Sequence, residues 1–218
     1  MILDTIVVGA LQANCYVLGC EKTRQAIIID PGDDLSAILD SLRKRDLSLA
    51  QIVATHAHFD HVLAARGLQG ATGAAFYLHP DDRPLLAAMR QTAIGWMGAD
   101  PGEPPEPVLD LTSGDVIRAG EIELEVRSTP GHSPGGVTLV DHARRRAFTG
   151  DALFAGSIGR TDLPGGNLEI LLKSVTGQLL SLPNYYAVLP GHGPASTIGE
   201  ERRSNPFLME PSPFEYWR

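Results

Sequence analysis

Short apolar runs alternate along this chain with stretches in which apolar residues recur every three or four positions. Most of the short runs carry valine or isoleucine and predict β-strands; they lie at 14–18, 25–29, 51–54, 74–78, 122–126, 137–140, 147–149 and 187–190. The helical spacing occurs at 35–42 and at 168–182, where Asn167 is placed to cap the second helix. Mixed strands and helices of this kind are typical of an α/β or α+β fold.

The segment 83–97 is a further helix candidate, and the proline-rich stretch 100–107 after it predicts a loop. Two interpretations of this helix are open. It is either a surface helix with a stiff connector, or an apolar wall or lid beside a functional site, with Trp96 and Met97 as the contacting side chains.

The densest cluster of potential metal ligands follows the strand at 51–54, where three histidines and one aspartate fall within six residues. His56 and His58 are two positions apart, so on extended chain they project on the same side and can hold one ion. Asp60 and His61 lie where the chain turns towards a helix predicted from 62–65, and can face a different point. The spacing suggests two neighbouring metal ions.

Three later strand candidates each end in a potential ligand. His132 follows the strand at 122–126, Asp151 follows 147–149, and His192 follows 187–190. Each is flanked by glycine, which permits tight turns and close approach of the backbone to an ion. Any one alone is an ordinary loop residue, but together with the first motif they predict a complete set of ligands.

These four segments resemble the metallo-β-lactamase superfamily over residues 14–208, in its order of His-x-His-x-Asp-His, then His, Asp and His. The resemblance implies a four-layer αββα sandwich, with the metal site at one edge of the two sheets. It also implies one metal held by His56, His58 and His132, a second held by Asp60, His61 and His192, and Asp151 as the bridge between them.

Imidazole and carboxylate ligands suit zinc, iron or manganese. We therefore expect two divalent ions, with zinc as the main candidate and iron or manganese as the alternatives. No cysteine occupies a ligand position, which departs from those β-lactamases in which a cysteine holds the second metal. His79 and His142 have no matching pattern around them and are predicted not to be ligands.

Within the superfamily, the stretches 150–154 and 157–162 look most like the short stand-alone glyoxalase II (hydroxyacylglutathione hydrolase)-like branch. The implied reaction is hydrolysis of an acyl-thioester such as S-lactoylglutathione, by attack of a metal-bridging hydroxide. Asp60 and Asp151 are the predicted catalytic carboxylates. Arg160 is the predicted substrate-binding residue for an anionic thiol carrier, and the other interpretation is an internal pair with Asp162.

A second interpretation belongs to another reaction class. Persulfide dioxygenases of the same superfamily have a similar Gly-Arg-Thr-Asp stretch, and the resemblance to them implies one iron on His56, His132 and Asp151. A third interpretation is a metal-stabilised binding protein with an incidental site.

Composition narrows the class further. The 218 residues, 43% hydrophobic and 20% charged, are typical of one soluble globular domain spanning 1–218, without a separate helical substrate domain. A net charge of −8 argues against nucleic-acid binding, and no apolar run approaches the ~20 residues that a membrane helix needs. Because no secretory signal pattern is visible, the cytoplasm is expected, with Cys15 and Cys20 reduced.

The expected partner is a small-molecule thioester, with a glutathione conjugate as one candidate. The protein is expected to be a monomer or a homodimer. The tail at about 206–218 is rich in aromatic residues, namely Phe207, Phe214, Tyr216 and Trp217. It is predicted to pack on its own domain or to form an oligomer contact.

Overall fold

The computed structural model describes residues 1–209 and contains two six-stranded sheets. The strands of the first sheet follow one another in chain order: β1 (Ile2–Val8), β2 (Ala13–Gly19), β3 (Gln25–Ile29), β4 (Ser48–Val53), β5 (Ala75–Leu78) and β6 (Val108–Asp110). Strands β1 to β3 pair antiparallel, and β3 to β6 are parallel.

The second sheet is largely antiparallel. The remaining strands along the chain are β7 (Val116–Ala119), β8 (Ile122–Ser128), β9 (Val137–Asp141), β10 (Arg146–Gly150), β11 (Leu153–Phe154), β12 (Ser157–Ile158), β13 (Ala187–Pro190) and β14 (Ser196–Thr197). The sheet order is β14-β13-β10-β9-β8-β7, with β10 and β13 parallel, while β11 and β12 form a separate small hairpin.

Strand alternation divides the interior into layers. In β2, Tyr16 and Leu18 point into the apolar layer between the sheets, whereas Cys15 and Val17 point to the outer face. Helices α1 (Leu35–Lys44), α2 (Ala65–Thr72) and α3 (Arg83–Met97) cover that outer face. Helices α4 (Leu168–Ser174) and α5 (Ile198–Ser204) cover the outer face of the second sheet, so the predicted αββα sandwich is confirmed.

Three elements differ from the sequence-based expectation. The helix expected from Val62 begins at Ala65, because Phe59–His61 first forms a short 3-10 turn. Helix α4 is capped by Asn167 as predicted, but it passes at Val175–Leu179 into a wider π-helical turn. Strand β1 was not predicted, because this edge strand is only partly buried and has no clean alternation.

The two sheets are tied together at the edge where β4, β10 and β13 end. The backbone amide of Asn14 donates to the carbonyl of Gly191 at 2.7 Å, and the amide of Val137 donates to the carbonyl of Thr55 at 2.8 Å. Loops from both sheets therefore meet at this edge.

Cys15 and Cys20 are both buried and form no disulfide. No helix within residues 1–209 is long and apolar enough to cross a bilayer. Most of the aromatic tail, including Phe214, Tyr216 and Trp217, lies outside the described residues.

Candidate metal centre

The fold brings all seven predicted ligand residues to one edge of the sandwich. They come from loops that follow β4, β8, β10 and β13 and from the turn Phe59–His61. Their side chains form two groups, in each of which the potential ligand atoms lie within 4.8 Å of one another. One group is His56, His58 and His132, and the other is Asp60, His61 and His192.

Asp151 lies between the two groups. One of its carboxylate oxygens, Oδ2, is 3.5 Å from Nε2 of His132 and 3.6 Å from Nε2 of His192. The other, Oδ1, is 3.5 Å from Nε2 of His61. A single carboxylate therefore contacts one histidine of the first group and two of the second, the position that a bridging ligand requires.

Hydrogen bonds on the far side of the imidazole rings orient three of these histidines. The Nδ1–H of His132 donates to the carbonyl of Arg160 at 2.8 Å, and that of His192 donates to the carbonyl of Leu11 at 3.1 Å. Nδ1 of His61 lies 3.1 Å from the carboxylate of Asp30. In each case Nε2 is left facing the centre, the arrangement found around metal-ligating histidines.

Two buried side-chain atoms of this centre lack a hydrogen-bond partner within the described chain. Nε2 of His56 and Oδ1 of Asp151 are buried and have no hydrogen-bond partner. Isolated burial of such groups is costly, and coordination of a cation removes the cost. Together with the imidazole and carboxylate donor set, these atoms show that the centre fits divalent metal ions.

The first group is electrostatically suited to neutral imidazole ligands. Burial, reinforced by the neighbouring histidines, holds the pKa of His56 well below its usual range. Burial, with His132 and His61, also lowers the pKa of His58 to about 4. Both rings are therefore unprotonated at neutral pH and have lone pairs available for a metal.

The second group is charge-paired. Burial by itself lowers the pKa of His61, but Asp151, Asp60 and Asp30 outweigh it and raise that pKa to about 10. Burial by itself raises the pKa of Asp60, but His61 and His192 outweigh it and hold that pKa well below its usual range. Burial by itself also lowers the pKa of His192, but the hydrogen bond to Asp60 and the charge of Asp151 outweigh it and raise that pKa. The carboxylates of the second group therefore stabilise positive charge at this position.

Asp30 is a site residue that the sequence analysis missed. Its buried carboxylate accepts hydrogen bonds from the backbone amide and the hydroxyl of Thr55, both at 2.7 Å, and contacts His61. Its position directly after β3 was the available signal, because the predicted ligands also follow strands at this edge.

Asp82 is a second missed residue, and it joins two ligand loops. Its carboxylate accepts from the amide of Ala57 at 2.9 Å, the hydroxyl of Ser133 at 2.8 Å and the amide of Gly135 at 2.6 Å. Ala57 lies between His56 and His58, and Ser133 follows His132. Nothing in the sequence signals this role, because Asp82 lies at the start of α3, where an acidic residue is ordinary.

We expect Asp30→Asn to weaken metal binding about 10- to 100-fold, because an amide cannot accept all three hydrogen bonds and His61 loses its orientation. Titration of the metal-free protein with zinc by calorimetry measures the change. Asp46→Asn is the matched control, since the Asp46 side chain is 94% exposed and belongs to neither the ligand groups nor the lining of the cavity beside them. Equal zinc affinity of both variants and the wild type would show that Asp30 does not orient a ligand.

A cavity of about 650 Å³ opens above the centre. Helix α3 packs Leu86 and Ala93 into the core and lines this cavity with Leu85 and Trp96, so the helix forms one wall beside the candidate centre. Phe59 supports Trp96, with ring centroids 6.3 Å apart. This placement favours the wall interpretation of the segment over that of a plain surface helix.

Arg160 also lines the cavity, and its guanidinium makes a two-point ion pair with Asp162, with both N–O distances 2.7 Å. Both interpretations of Arg160 thus have structural support. His79 and His142 belong to neither ligand group of the described chain; Nδ1 of His79 accepts from the amide of Asp81, and His142 contacts Tyr186.

A two-sheet sandwich that gathers histidines and aspartates from both sheets at one edge defines the αββα class of metal-dependent hydrolases. The chain belongs to the metallo-beta-lactamase superfamily, whose family model matches residues 8–192. It is 44% identical over 211 residues to an uncharacterized protein of Aquifex aeolicus, covering 96% of this chain and 98% of that one. It is 35% identical over 215 residues to the hydroxyacylglutathione hydrolase GloC of Haemophilus influenzae, covering 97% and 100%.

Solved structures show the same relationship. The crystal structure of the BLEG-1 B3 metallo-beta-lactamase is 37% identical with a TM-score of 0.88, covering 95% of this chain and 100% of that one. TTHA1623, solved in a di-iron-bound form, is 41% identical with a TM-score of 0.86, covering 94% and 100%. ETHE1 from Myxococcus xanthus is 30% identical with a TM-score of 0.80, covering 95% and 84%.

Proposed function

We propose that this chain is a dinuclear-metal hydrolase of acyl-thioesters, with S-lactoylglutathione as the reference substrate. The observation that carries the proposal is the pair of ligand groups joined by Asp151. His56, His58 and His132 would hold one ion, and Asp60, His61 and His192 the other. We propose zinc in both positions, with iron or manganese as the alternatives; TTHA1623 in its di-iron-bound form is a relative that carries iron.

Two bound divalent ions lower the pKa of water towards neutrality and polarise an acyl carbonyl. The residues of the chain supply the rest of the chemistry. Asp60 remains ionised beside His192, with Oδ2 and Nε2 3.2 Å apart, so its carboxylate can orient a water molecule. The walls of the cavity are mostly apolar, so a bound substrate replaces water beside the centre with side chains of low polarity.

The relatives support hydrolysis. GloC is named a hydroxyacylglutathione hydrolase and matches this chain over nearly its whole length. The candidate ligand residues of the site are histidines and aspartates, without a cysteine among them. S-lactoylglutathione is therefore the first thioester to assay.

The second candidate is a persulfide dioxygenase with a single iron. It is favoured by the closeness of the three residues it needs: the rings of His56 and His132 have centroids 4.8 Å apart, and Oδ2 of Asp151 lies 3.5 Å from Nε2 of His132. A site of two histidines and one carboxylate leaves open positions for dioxygen and a sulfur ligand.

Metal content separates the two candidates. The protein is purified without added metal and without oxygen, and its ions are counted by elemental analysis. Two ions per chain, together with hydrolysis of S-lactoylglutathione, support the thioesterase. One iron per chain, with oxygen consumption on addition of a persulfide and no thioester hydrolysis, would overturn it.

Arg160→Ala is expected to raise the KM for S-lactoylglutathione by about tenfold while changing kcat less, because a guanidinium that binds a substrate carboxylate contributes mainly to binding. Asp162→Asn is the paired variant: it releases Arg160 from its ion pair and is expected to lower KM. Steady-state kinetics of both variants measures the split. A fall in kcat alone for Arg160→Ala would assign the residue a structural role.

A further inference from the structure

The cavity above the metal centre is apolar on three sides. Helix α3 contributes Leu85, Met89 and Trp96, and the hairpin β11–β12 contributes Phe154 and Ile158. Leu163 and Pro164 close the third side. The polar groups of the cavity are concentrated at its floor, which consists of the candidate ligands. Such a lining favours apolar ligand groups along the walls and gives polar groups there few partners.

The charge of the cavity does not match a glutathione tail. Arg160 is the one cationic side chain among the described lining residues, apart from the histidines of the centre, and Asp162 already neutralises it. The glutathione portion of a thioester carries two carboxylates and one ammonium group at neutral pH. The guanidinium of Arg160, while paired with Asp162, can bind at most one of the two carboxylates of glutathione.

A second, smaller cavity of about 240 Å³ is also lined by Trp96. It shares Leu11, Phe59, Asp60 and Trp96 with the larger cavity, and Asp33 gives it acidic rather than basic character. Both cavities reach Asp60 of the centre. The two cavities therefore adjoin at Trp96 and at the centre, so together they offer space for the two halves of a thioester.

We infer that the larger cavity binds an apolar acyl group, so that the substrates are thioesters of medium-length hydrocarbon acids, with Trp96 as a specificity-determining residue. This inference rests on the proposed thioester hydrolysis. The volume of 650 Å³ falls in the range that holds a drug-sized ligand, far larger than a lactoyl group. Each methylene transferred from water into such a lining improves binding about fourfold.

The test uses the metal-loaded full chain and a series of N-acetylcysteamine thioesters with acetyl, butyryl, hexanoyl and octanoyl groups. The thiol is constant and uncharged, so only the acyl group changes. The expected result is a rise in kcat/KM of about fourfold per added methylene until the cavity is filled. A flat or falling series, in a protein that hydrolyses S-lactoylglutathione, overturns the inference and leaves the proposed function intact.

Trp96→Ala is expected to lower kcat/KM for the octanoyl thioester about tenfold and to change the value for the acetyl thioester less than about twofold. Tyr185→Ala is the matched control, because Tyr185 is 62% exposed and Trp96 61%, and Tyr185 lies outside the cavity. An equal loss on both substrates in Trp96→Ala would contradict a role in acyl specificity.

Binding of S-alkyl thioethers of N-acetylcysteamine, measured by calorimetry, gives a readout that does not depend on turnover. Affinity that rises with alkyl length, and rises less in Trp96→Ala, supports the assignment of the cavity even if no thioester is hydrolysed, in which case only the proposed function fails. Affinity that is independent of alkyl length overturns the assignment.

Discussion

Asp151→Ala is expected to lose bound metal and turnover together. Loss of a residue that only orients a ligand weakens metal binding about 10- to 100-fold. Asp151 contacts histidines of both groups, so its removal should cost more than about a hundredfold in affinity for at least one ion. Hydrolysis should fall with it, because both ions take part in the proposed chemistry.

The structure also explains why the neighbours of Asp151 cannot compensate. The other carboxylate of the centre, Asp60, is already paired with His192 and approaches His61 at 3.7 Å. His61 is completely buried, and the charge of Asp151 is the largest of the influences that raise its pKa. Without Asp151, a protonated His61 would lose part of its charge compensation in the interior.

Elemental analysis after dialysis, and thermal unfolding with and without a chelator, check this prediction. Wild-type protein should unfold at a lower temperature when the chelator is present, whereas Asp151→Ala should show little dependence on it. Asp162→Ala is the control for metal retention, since Asp162 lies on the neighbouring loop and, within residues 1–209, its one ion pair is with exposed Arg160. Two tightly bound ions and full activity in Asp151→Ala would refute its assignment as the bridge.

The meeting of the ligand residues at one site could be predicted from the sequence, because several of them directly follow predicted strands. His56 and His58 follow β4, and Asp151 and His192 follow the parallel strands β10 and β13, so their carboxyl ends meet at one edge. Separation into two groups also followed from local spacing, since an extended pair and the turn at Asp60 must face different points.

The supporting residues could not be found in the same way. Asp82 holds the His56–His58 loop against Ser133 and Gly135, through contacts between positions 25 to 53 residues apart that have no local pattern. Trp96 illustrates a related limit. Its helical spacing was visible, but whether an exposed indole faces a cavity depends on how α3 packs against Phe59 and the turn after it.

Gly191→Ala is the second variant expected to have a large effect, although it changes no candidate ligand. A Cβ atom at this position would lie 2.2 Å from Oδ1 of Asp151 and 2.8 Å from Cε1 of His61. The backbone of Gly191 does not have a positive φ, so alanine is conformationally acceptable and only space opposes it. The added methyl group occupies the side of Asp151 where the unpartnered oxygen lies.

The backbone at Gly191 has little freedom to move away from this contact. Its amide donates to the carbonyl of Gly150 at 2.8 Å, and its carbonyl accepts from the amide of Asn14 at 2.7 Å. The hydroxyl of Tyr16 also donates to the carbonyl of Pro190 at 2.7 Å. The carboxylate of Asp151 must therefore rotate, which removes it from the position between the two groups.

We expect Gly191→Ala to weaken metal binding about 10- to 100-fold, and to lower the free energy of unfolding by about 1–3 kcal/mol through overpacking. Zinc titration and denaturant unfolding measure the two effects. Gly70→Ala in α2 is the control, because its Cβ meets no atom within 4 Å and alanine favours a helix over glycine by up to about 1 kcal/mol. If Gly191→Ala keeps its zinc affinity, the carboxylate of Asp151 can leave the contact without loss, and it is then not a bridging ligand.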